Sequence, residues 1–459
     1  IISCLPSAVG GGVPALSRAA CFCVALAGVR LRAGRAGPRT LETALRALPG
    51  ARLAVVSVPG AYAKLEALAA LRRGLHVFLF SDNVPLADEI ELKRVAAERR
   101  LLCMGPDCGT AYLDGVGLGF ANVVPRGRIG CVAASGTGLQ AVASGVAALG
   151  EGLSHGIGVG GRDLSAAVGG VMTTLALETL RADPATEVIL LVSKPPAPEL
   201  LPRLDEAIRA AGKPVVVCCL GVGPRPGAPG QWVATLEDAA RAAVATARGR
   251  AWTPCTFDDA AGVRASLDRL TKGADARGGL LGLFTGGTLA HEARLLIEAL
   301  LGALVDHAPP LPCPSPPRRG RGVTHRILDL GADEFTVGRP HPMLDPTLRD
   351  ARVREAGASA EVSVLLLDVV LGRVAHPDPA RPLADAVREA RRRAAAGGRA
   401  LHAVASVVGT EDDPQRLSDQ VGTLRAAGVH VLPSSAQAAR FAALLTAPHV
   451  AAKVLGAAL

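Results

Sequence analysis

An apolar strand that leads directly into a turn of small residues and then a helix is the feature that most constrains this chain. It occurs twice, as 129–134 followed by Ser135-Gly136-Thr137 and as 280–285 followed by Gly286-Gly287-Thr288. The first amides of a helix have no internal partner and lie at the positive end of its dipole. Small turn residues let a phosphate approach them closely. The sequence therefore predicts two phosphate-binding helix ends, between which a phosphoryl group is handled.

From residue 39 onward, short apolar strands alternate with helix patterns. Because these strands are apolar throughout, both of their faces are expected to be buried, as in parallel sheets covered by helices. We predict an α/β fold whose first domain is only partly Rossmann-like, since no GxGxxG fingerprint follows an early strand. The predicted segments are a leader-like stretch at 1–38, a partial Rossmann-like domain at 39–124, a flavodoxin-like domain at 125–250, a linker at 251–276 and a second flavodoxin-like domain at 277–459.

Two segments differ from the rest in composition. Residues 1–38 contain arginine but no acidic residue, which is typical of an organelle leader and equally of a truncated or mistranslated sequence. Residues 308–322 are too rich in proline for a helix or strand, so we expect a solvated loop. We expect a cytoplasmic protein, with an organelle as the alternative that a leader would bring.

Composition excludes several classes of protein. The net charge of +9 could indicate nucleic-acid binding, but the arginines are scattered through alanine-rich helices and only 3% of residues are aromatic, too few for base stacking. No apolar run reaches the roughly 18 residues that a membrane span needs. The ten cysteines lack the paired spacing of a metal site. We therefore predict no nucleic acid, no membrane and no metal, with cysteines that are buried thiols.

Two turns follow apolar strands, at the edge where parallel sheets place ligands. Asp107 and Cys108 lie in the first turn, and either contact substrate or serve as a capping acid and a buried thiol. Gly160 and Gly161 in the second turn allow a close approach to the backbone.

Arg162 and Asp163 follow these glycines directly. Arg162 could bind a phosphate or a carboxylate with two hydrogen bonds, which favours a catalytic role for this pair. The alternative is a structural ion pair between Arg162 and Asp163 that closes the turn.

A proline-containing loop after a later strand presents Arg339 and His341, with Asp345 close by. Arg339 could bind an anion and His341 could move a proton, so both are candidate catalytic residues, although the loop could also be an anchor. His291 is interpreted as an ordinary helix histidine. Residues 411–413 are interpreted mainly as helix caps.

Many stretches from residue 39 onward resemble the succinyl-CoA synthetase superfamily, and more closely its FdrA branch. They are SVPGAYA (57–63), VFLFSDNV (77–84), MGPDCGT (104–110), ASGTGLQ (134–140), HGIGVGGRDLS (155–165), VSKPP (192–196), TGGTLAHEA (285–293), DLGADEFTVGRPHPMLDPTLR (329–349), LLLDVVLG (365–372) and VVGTEDDPQ (407–415).

The resemblance implies a domain that holds CoA and two flavodoxin-like domains that each offer a helix N-terminus to a phosphate. Ser135, Gly136 and Thr137 match the first of these helix ends, and Gly286, Gly287 and Thr288 match the second. The positions that match the CoA site are Val58, Pro59, Ser81, Asp82 and Asn83.

The chain departs from the family where a phosphohistidine loop is expected. Residues 221–235 contain no histidine, and the segment VSKPPAPE (192–199) lacks the acidic residue that orients the phosphohistidine. A phosphoramidate relay needs an imidazole nucleophile. No ATP-grasp domain is present either, so a nucleotide or Mg²⁺ would require a partner subunit.

Three functions stay open. The first is acyl-CoA synthetase-type ligase chemistry, with CoA as a possible cofactor. The second is carbamoyl transfer between phosphate and oxamate, in ureide breakdown. The third is a non-catalytic subunit that binds CoA or phosphate. Each implies an acyl or carbamoyl phosphate-type small molecule, together with partner subunits or a homo-oligomer.

Overall fold

The computed structural model describes residues 2–6, 40–271, 278–304 and 324–455. These form two compact units, Ile1–Trp252 (the first unit) and Thr253–Leu459 (the second unit). The loop predicted at 308–322 lies outside the described residues, as does the leader-like stretch apart from 2–6. The layered helices and parallel sheets within each unit confirm the predicted α/β fold.

The first unit begins with a four-stranded sheet and three helices. These elements are β1 (Ile2–Pro6), α1 (Leu41–Ala47), β2 (Ala51–Val56), α2 (Gly60–Arg72), β3 (His76–Leu79), α3 (Leu86–Glu98) and β4 (Cys103–Met104). The strand order is β1-β2-β3-β4, with β2, β3 and β4 parallel and β1 antiparallel at the edge. This is the partial Rossmann-like sheet, to which the leader-like stretch adds a strand that was not predicted.

A seven-stranded sheet forms the rest of the first unit. Its elements are β5 (Thr110–Leu113), β6 (Val116–Gly119), β7 (Arg126–Ala134), α4 (Gly136–Ala148), β8 (Leu153–Gly158), α5 (Val171–Ala182), β9 (Val188–Ser193), α6 (Leu201–Ala210), β10 (Val215–Cys219), β11 (Gln231–Trp232) and α7 (Leu236–Ala247), with a 3₁₀ turn at Pro198–Leu200. The strand order is β11-β10-β9-β7-β8-β5-β6. Counted in chain order from β7, the five parallel strands have the flavodoxin order 2-1-3-4-5. The hairpin β5–β6 falls in the segment predicted as Rossmann-like but joins this second sheet.

The second unit repeats the same strand order in a five-stranded parallel sheet. Its elements are α8 (Ala260–Thr271), β12 (Gly279–Phe284), α9 (Gly287–Leu301), β13 (Arg326–Asp329), α10 (Asp333–Thr336), α11 (Thr347–Ala358), β14 (Val362–Val370), α12 (Ala380–Ala396), β15 (His402–Val408), α13 (Leu417–Ala426), β16 (His430–Leu432), α14 (Ser435–Thr446) and α15 (Ala451–Leu455), with a 3₁₀ turn at Pro448–Val450. The order β13-β12-β14-β15-β16 is again 2-1-3-4-5. Helix α8, in the stretch predicted as a linker, packs on α14.

Burial explains why the central strands are apolar throughout. Every residue of β14 is buried, because helices cover both faces of the sheet. Helix α12 buries one stripe at helical spacing, with alanine at many of its positions. Small residues let helices lie close together, and a Cβ on Gly357 of α11 would lie 2.5 Å from the backbone of Ala390. Among the described helices, none is long and apolar enough to span a membrane.

His76, at the start of β3, is expected to make the first unit sensitive to acid. Its Nδ1 accepts a hydrogen bond from the Leu102 N–H at 2.9 Å, which requires an unprotonated ring. Burial, and then the charge of Arg52, lower the pKa of His76 from 6.5 to about 4. The unfolded chain therefore binds this proton more tightly, and stability is lost as pH falls from 6.5 towards 4. At roughly 1.4 kcal/mol per pKa unit, the loss expected between pH 7 and pH 4.5 is about 2–3 kcal/mol.

Urea unfolding at pH 7 and pH 4.5 measures this loss. His76→Gln should lose clearly less stability between the two pH values than the wild type, whereas His449→Gln, at an exposed position, should lose as much as the wild type. An equal acid loss in His76→Gln and the wild type would contradict the assignment.

Candidate functional site

In the first unit, the loops predicted to hold CoA lie together at the carboxyl ends of β2 and β3. Ser81 Oγ accepts a hydrogen bond from the Val58 N–H at 3.1 Å. A Cβ on Gly60, the first residue of α2, would lie 2.3 Å from the carbonyl oxygen of Asp82, so the two loops pack directly on each other. The side chains of Asp82 and Asn83 are exposed beside this contact.

Helix α2 begins after Pro59 and has no side-chain cap. The amides of its first turn lie next to residues 82 and 83, whose side chains are exposed. Such amides suit an anion, and CoA has phosphates, so these residues fit the predicted CoA site.

The turn that contains Asp107 and Cys108 is hydrogen-bonded to the second of these loops. Asp107 is exposed, and its N–H donates to Ser81 O at 2.9 Å. Cys108 Sγ lies 3.4 Å from the carbonyl oxygens of Thr110 and Gly158. Burial raises the pKa of Cys108 to about 12, so it stays a thiol at neutral pH. The geometry supports the buried-thiol interpretation for Cys108 and leaves Asp107 accessible.

Gly160 and Gly161 have different surroundings. Gly160 has φ +87°, and a Cβ there would lie 2.8 Å from the carbonyl oxygen of Pro106, so it packs against the Asp107 turn. Gly161 is exposed, and open space lies where its Cβ would be. At the second turn, a ligand can therefore approach the backbone at Gly161.

The first predicted phosphate site is the start of α4. Ser135 is the N-cap, and its Oγ accepts from the Gly138 N–H at 2.8 Å. Gly136 and Thr137 are partly exposed, so a phosphate can reach their amides. A Cβ on Gly136 would lie 3.8 Å from Gly109 N, which places this helix start next to the Asp107 turn. The structure thus brings together most of the residues predicted for the first unit.

Asp163 belongs to a buried ion network, and the half-exposed Arg162 pairs with one of its carboxylates. Asp163 accepts hydrogen bonds from Lys93 Nζ at 2.9 Å and from the Thr173 N–H at 2.8 Å. Lys93 Nζ also donates to Glu89 at 2.8 Å, and Arg162 Nε donates to Glu89 at 2.7 Å. Lys93, Glu89 and Asp163 are each at most 1% exposed. These contacts join α3 to the loop after β8.

The catalytic role predicted for Arg162 and Asp163 stays a prediction, and their contacts support a structural one. The alternative of a mutual ion pair also differs from the structure, because each residue pairs with α3 instead. Lys93 and Glu89 were missed. Helix α3 contains several charged residues, and their spacing in the sequence does not show that Glu89 and Lys93 are the buried ones.

The loop at the position of the family's phosphohistidine is anchored by its own side chains. Arg225 donates to both carboxylate oxygens of Asp205, at 2.7 and 2.9 Å. The guanidinium carbon of Arg225 also lies 4.7 Å from the ring centre of Trp232. Trp232 in turn donates from Nε1 to Pro229 O at 2.9 Å. An aromatic contact and an ion pair therefore anchor the loop for which the resemblance implies a phosphohistidine.

In the second unit, an internal carboxylate shapes the second predicted phosphate site. Gly286 is the N-cap of α9, which has no side-chain cap. Asp368 on β14 accepts from the Thr285 N–H at 2.7 Å and from the Gly286 N–H at 2.8 Å. Burial raises the pKa of this fully buried carboxyl. Asp368 therefore holds the turn before the helix, and the helix itself begins with the partly exposed Gly287 followed by the buried Thr288.

His341 lies close to this turn. A Cβ on Gly331 would lie 2.9 Å from His341 Nε2, 3.0 Å from Thr285 O and 3.2 Å from Asp329 Oδ1. A Cβ on Gly287 would lie 2.4 Å from Asp329 Oδ2. An imidazole and a carboxylate therefore flank the start of α9, and only glycine fits at Gly287 and Gly331 without a shift of these side chains.

The surroundings of Arg339 and Asp345 differ from those of His341. Arg339 is exposed. Asp345 accepts from the Thr347 N–H at 3.0 Å at the start of α11, so it acts as a helix cap. The fully buried Arg349 was not predicted, and it donates from Nη1 to Asp368 O at 2.9 Å. The roles predicted for Arg339 and His341 stay predictions, which the geometry supports for His341.

His155, at the start of the HGIGVGGRDLS stretch, and the acidic segment of residues 411–413 make structural contacts. His155 is 4% exposed, its Nδ1 accepts from the Asp114 N–H at 3.0 Å, and burial lowers its pKa. Glu411 accepts from the Ser418 N–H at 3.0 Å, which supports the capping interpretation. Across the ranges that the structure describes, no group of three or more His, Cys, Asp or Glu residues could hold a metal ion.

Comparison with known proteins shows to which family the chain belongs. The family model described as CoA-ligase matches residues 283–445, within the second unit. YahF of Escherichia coli (strain K12), described as an uncharacterized protein, is 41% identical over 408 residues, which are 86% of this chain and 77% of YahF. The chain belongs to the same family as YahF, within the acyl-CoA synthetase superfamily.

Two succinate–CoA ligase subunits are more distant relatives. The ADP-forming subunit alpha-2, mitochondrial, of Trichomonas vaginalis is 31% identical over 157 residues, 33% of this chain and 49% of that subunit. The ADP-forming subunit alpha of Aquifex aeolicus (strain VF5) is 27% identical over 184 residues, 39% of this chain and 59% of that subunit. The chain thus spans about half the length of the first of these ligase subunits and about three fifths of the second.

Proposed function

We propose that this protein is an acyl-CoA synthetase-type enzyme of the FdrA kind that handles a phosphoryl group or an acyl phosphate at two helix N-termini without a phosphohistidine. The observation that carries the proposal is the start of α9. Gly287 is accessible there, Asp368 holds the turn before it, and His341 lies alongside. An anion-binding helix end with an imidazole next to it suits a substrate that carries a phosphate.

The first unit supports the same proposal with a second helix end. Gly136 and Thr137 are accessible at the start of α4, and the exposed Asp107 lies on the neighbouring turn. In a sheet with the order 2-1-3-4-5, ligands bind near the carboxyl ends of the first and third strands. Helices α4 and α9 both begin at such a position in their own sheets.

CoA is proposed to bind at the loops after β2 and β3. Val58, Pro59, Ser81, Asp82 and Asn83 would hold it there, beside the uncapped start of α2. When bound, CoA would supply the thiol that accepts an acyl group.

A carbamoyltransferase subunit is the second candidate, and the anchored loop of residues 221–235 favours it. Transfer of a carbamoyl group from carbamoyl phosphate to the nitrogen of oxamate releases phosphate and needs no phosphorylated histidine. It needs a phosphate site and a group that binds a carboxylate, for which the exposed Arg339 is available.

A non-catalytic subunit that binds CoA or phosphate is the third candidate. The matched ligases are described as subunits, and partner subunits or a homo-oligomer are part of all three proposals. A nucleotide and Mg²⁺ would come with such a partner.

Turnover of the purified chain, alone and with candidate partner subunits, tests the proposal. We expect acceptor-dependent phosphate release from an acyl phosphate or from carbamoyl phosphate with oxamate. Labelled ATP should leave no acid-labile phosphate on the chain, because the relay loop holds no histidine. The readouts are phosphate release and acid-labile label on the protein.

His155→Asn and His291→Asn are the control variants for the labelling experiment. Acid-labile label that disappears in either variant would revive a phosphohistidine and contradict the proposal. Absence of turnover together with a rise in melting temperature on adding CoA or phosphate would favour the non-catalytic subunit.

A further inference from the structure

The second unit contains an arginine-lined cavity far from the start of α9. The cavity is open and has a volume of about 780 Å³. It lies among α11, α12 and the segments before β15 and β16. The arginines in its wall are Arg354, Arg388, Arg391, Arg392 and Arg399.

Acidic side chains neutralise only part of this charge. Asp385 and Glu389 are the two carboxylates that line the cavity, which leaves a net charge of +3. Glu389 pairs with Arg354 at 3.0 Å, and Asp385 pairs with Arg388 at 2.5 Å. Among the residues described here, Arg391, Arg392 and Arg399 have no carboxylate partner. Like charges gathered in one concave site favour the entry of an anion.

Two of these three arginines are held in place by the backbone. Arg391 Nη1 donates to Ala427 O at 3.2 Å. Arg399 donates to Gly357 O at 2.6 Å and to Val362 O at 3.3 Å. A guanidinium has five N–H donors, so both keep donors for a ligand. Because both side chains are already ordered before an anion binds, less conformational entropy is lost on binding.

The cavity lies at the amino edge of the sheet. Arg399 contacts Val362, the first residue of β14, and Ala427 precedes β16. Gly286 and Gly287 follow the carboxyl end of β12. The nine residues of β14 separate the two edges by about 26 Å, at roughly 3.3 Å per residue. A ligand in the cavity is therefore distinct from one at α9.

We propose that this cavity binds the polyphosphate chain of a small molecule. Three guanidinium groups without a carboxylate partner, around a cavity of about 780 Å³, match several linked phosphates better than one. No aromatic side chain lines the cavity, which favours a small polyphosphate over single-stranded nucleic acid, because bases bind by stacking. This site goes beyond the proposed function, which does not require it.

Calorimetric titration of the full chain with inorganic tripolyphosphate in 0.15 M salt tests the proposal. Arg391→Ala/Arg392→Ala should bind tripolyphosphate at least tenfold more weakly than the wild type. Arg264→Ala/Arg381→Ala removes the same charge from exposed helix positions outside the cavity and should stay within twofold of the wild type. Melting temperatures without ligand show that both variants fold.

Gly287→Val separates this site from the one at α9 and should retain tripolyphosphate binding at the cavity. Loss of that binding in Gly287→Val would assign the ligand to α9 and overturn the proposal. Equal weakening in the two arginine double variants would show general charge attraction and would also overturn it, as would no binding by the wild type. A single-stranded oligonucleotide that displaces tripolyphosphate at equal affinity would identify nucleic acid as the partner instead.

Discussion

Lys93→Met is expected to lower the free energy of unfolding of the first unit by about 3–5 kcal/mol, the usual cost of removing one partner from a buried ion network. Lys93 Nζ donates to Glu89, to Asp163 and to Val159 O. Burial by itself would lower the pKa of Lys93, but the charges of Asp163 and Glu89 outweigh that effect and raise it. The ammonium is therefore the form that the fold requires. Without it, Asp163 and Glu89 remain buried, and of the two only Glu89 keeps a cationic partner, the Arg162 guanidinium.

Lys64→Met is the matched control. Lys64 pairs with Asp88 and Glu91 at 2.8 and 2.7 Å, but these side chains are partly exposed. Solvent screens ion pairs at such positions, so this variant should remain close to the wild type. Urea unfolding followed by circular dichroism compares the two variants. An equal loss of unfolding free energy in Lys93→Met and Lys64→Met would show that the buried network stabilises the fold no more than the exposed pairs do.

Gly287→Val is expected to weaken the binding of phosphate by at least tenfold, or about 1.4 kcal/mol, while the fold is retained. The valine side chain would cover the first amides of α9. Its Cβ would meet Asp329 Oδ2 at 2.4 Å, a contact that the terminal oxygens of a side chain can relieve by moving. Calorimetric titration with inorganic phosphate measures the affinity, and the melting temperature reports the fold.

Gly422→Val is the control for this substitution. Gly422 lies within α13 of the same unit, and open space surrounds the position of its Cβ. This variant should bind phosphate as the wild type does. Phosphate affinity retained in Gly287→Val would remove α9 from the proposed site.

The order of the elements was largely predictable, because each fully apolar strand is buried on both faces and each small-residue turn begins a helix. β7 with α4, and β12 with α9, appear where the pattern predicted them. The sheet to which a strand belongs was harder to predict. Strands β5 and β6 follow the first sheet in sequence, yet β5 pairs with β8 of the second sheet. Such pairing depends on contacts between distant residues, which no local pattern records.

The candidate site was predictable only in part. Glycines at helix starts have a local signature, so Gly136 and Gly287 were found. Asp329 and Asp368 were missed, although an acidic residue inside an apolar strand, as in LLLDVV, is a usable signal. Lys93 has no such local signal in the sequence, because its burial follows from the packing of α3 near α5.

The hydrogen bonds from Thr285 and Gly286 to Asp368 lie inside the protein, and Asp368 is fully buried. The backbone at this corner of the sheet is therefore held by one of the protein's own side chains. These two amide protons should exchange slowly with solvent.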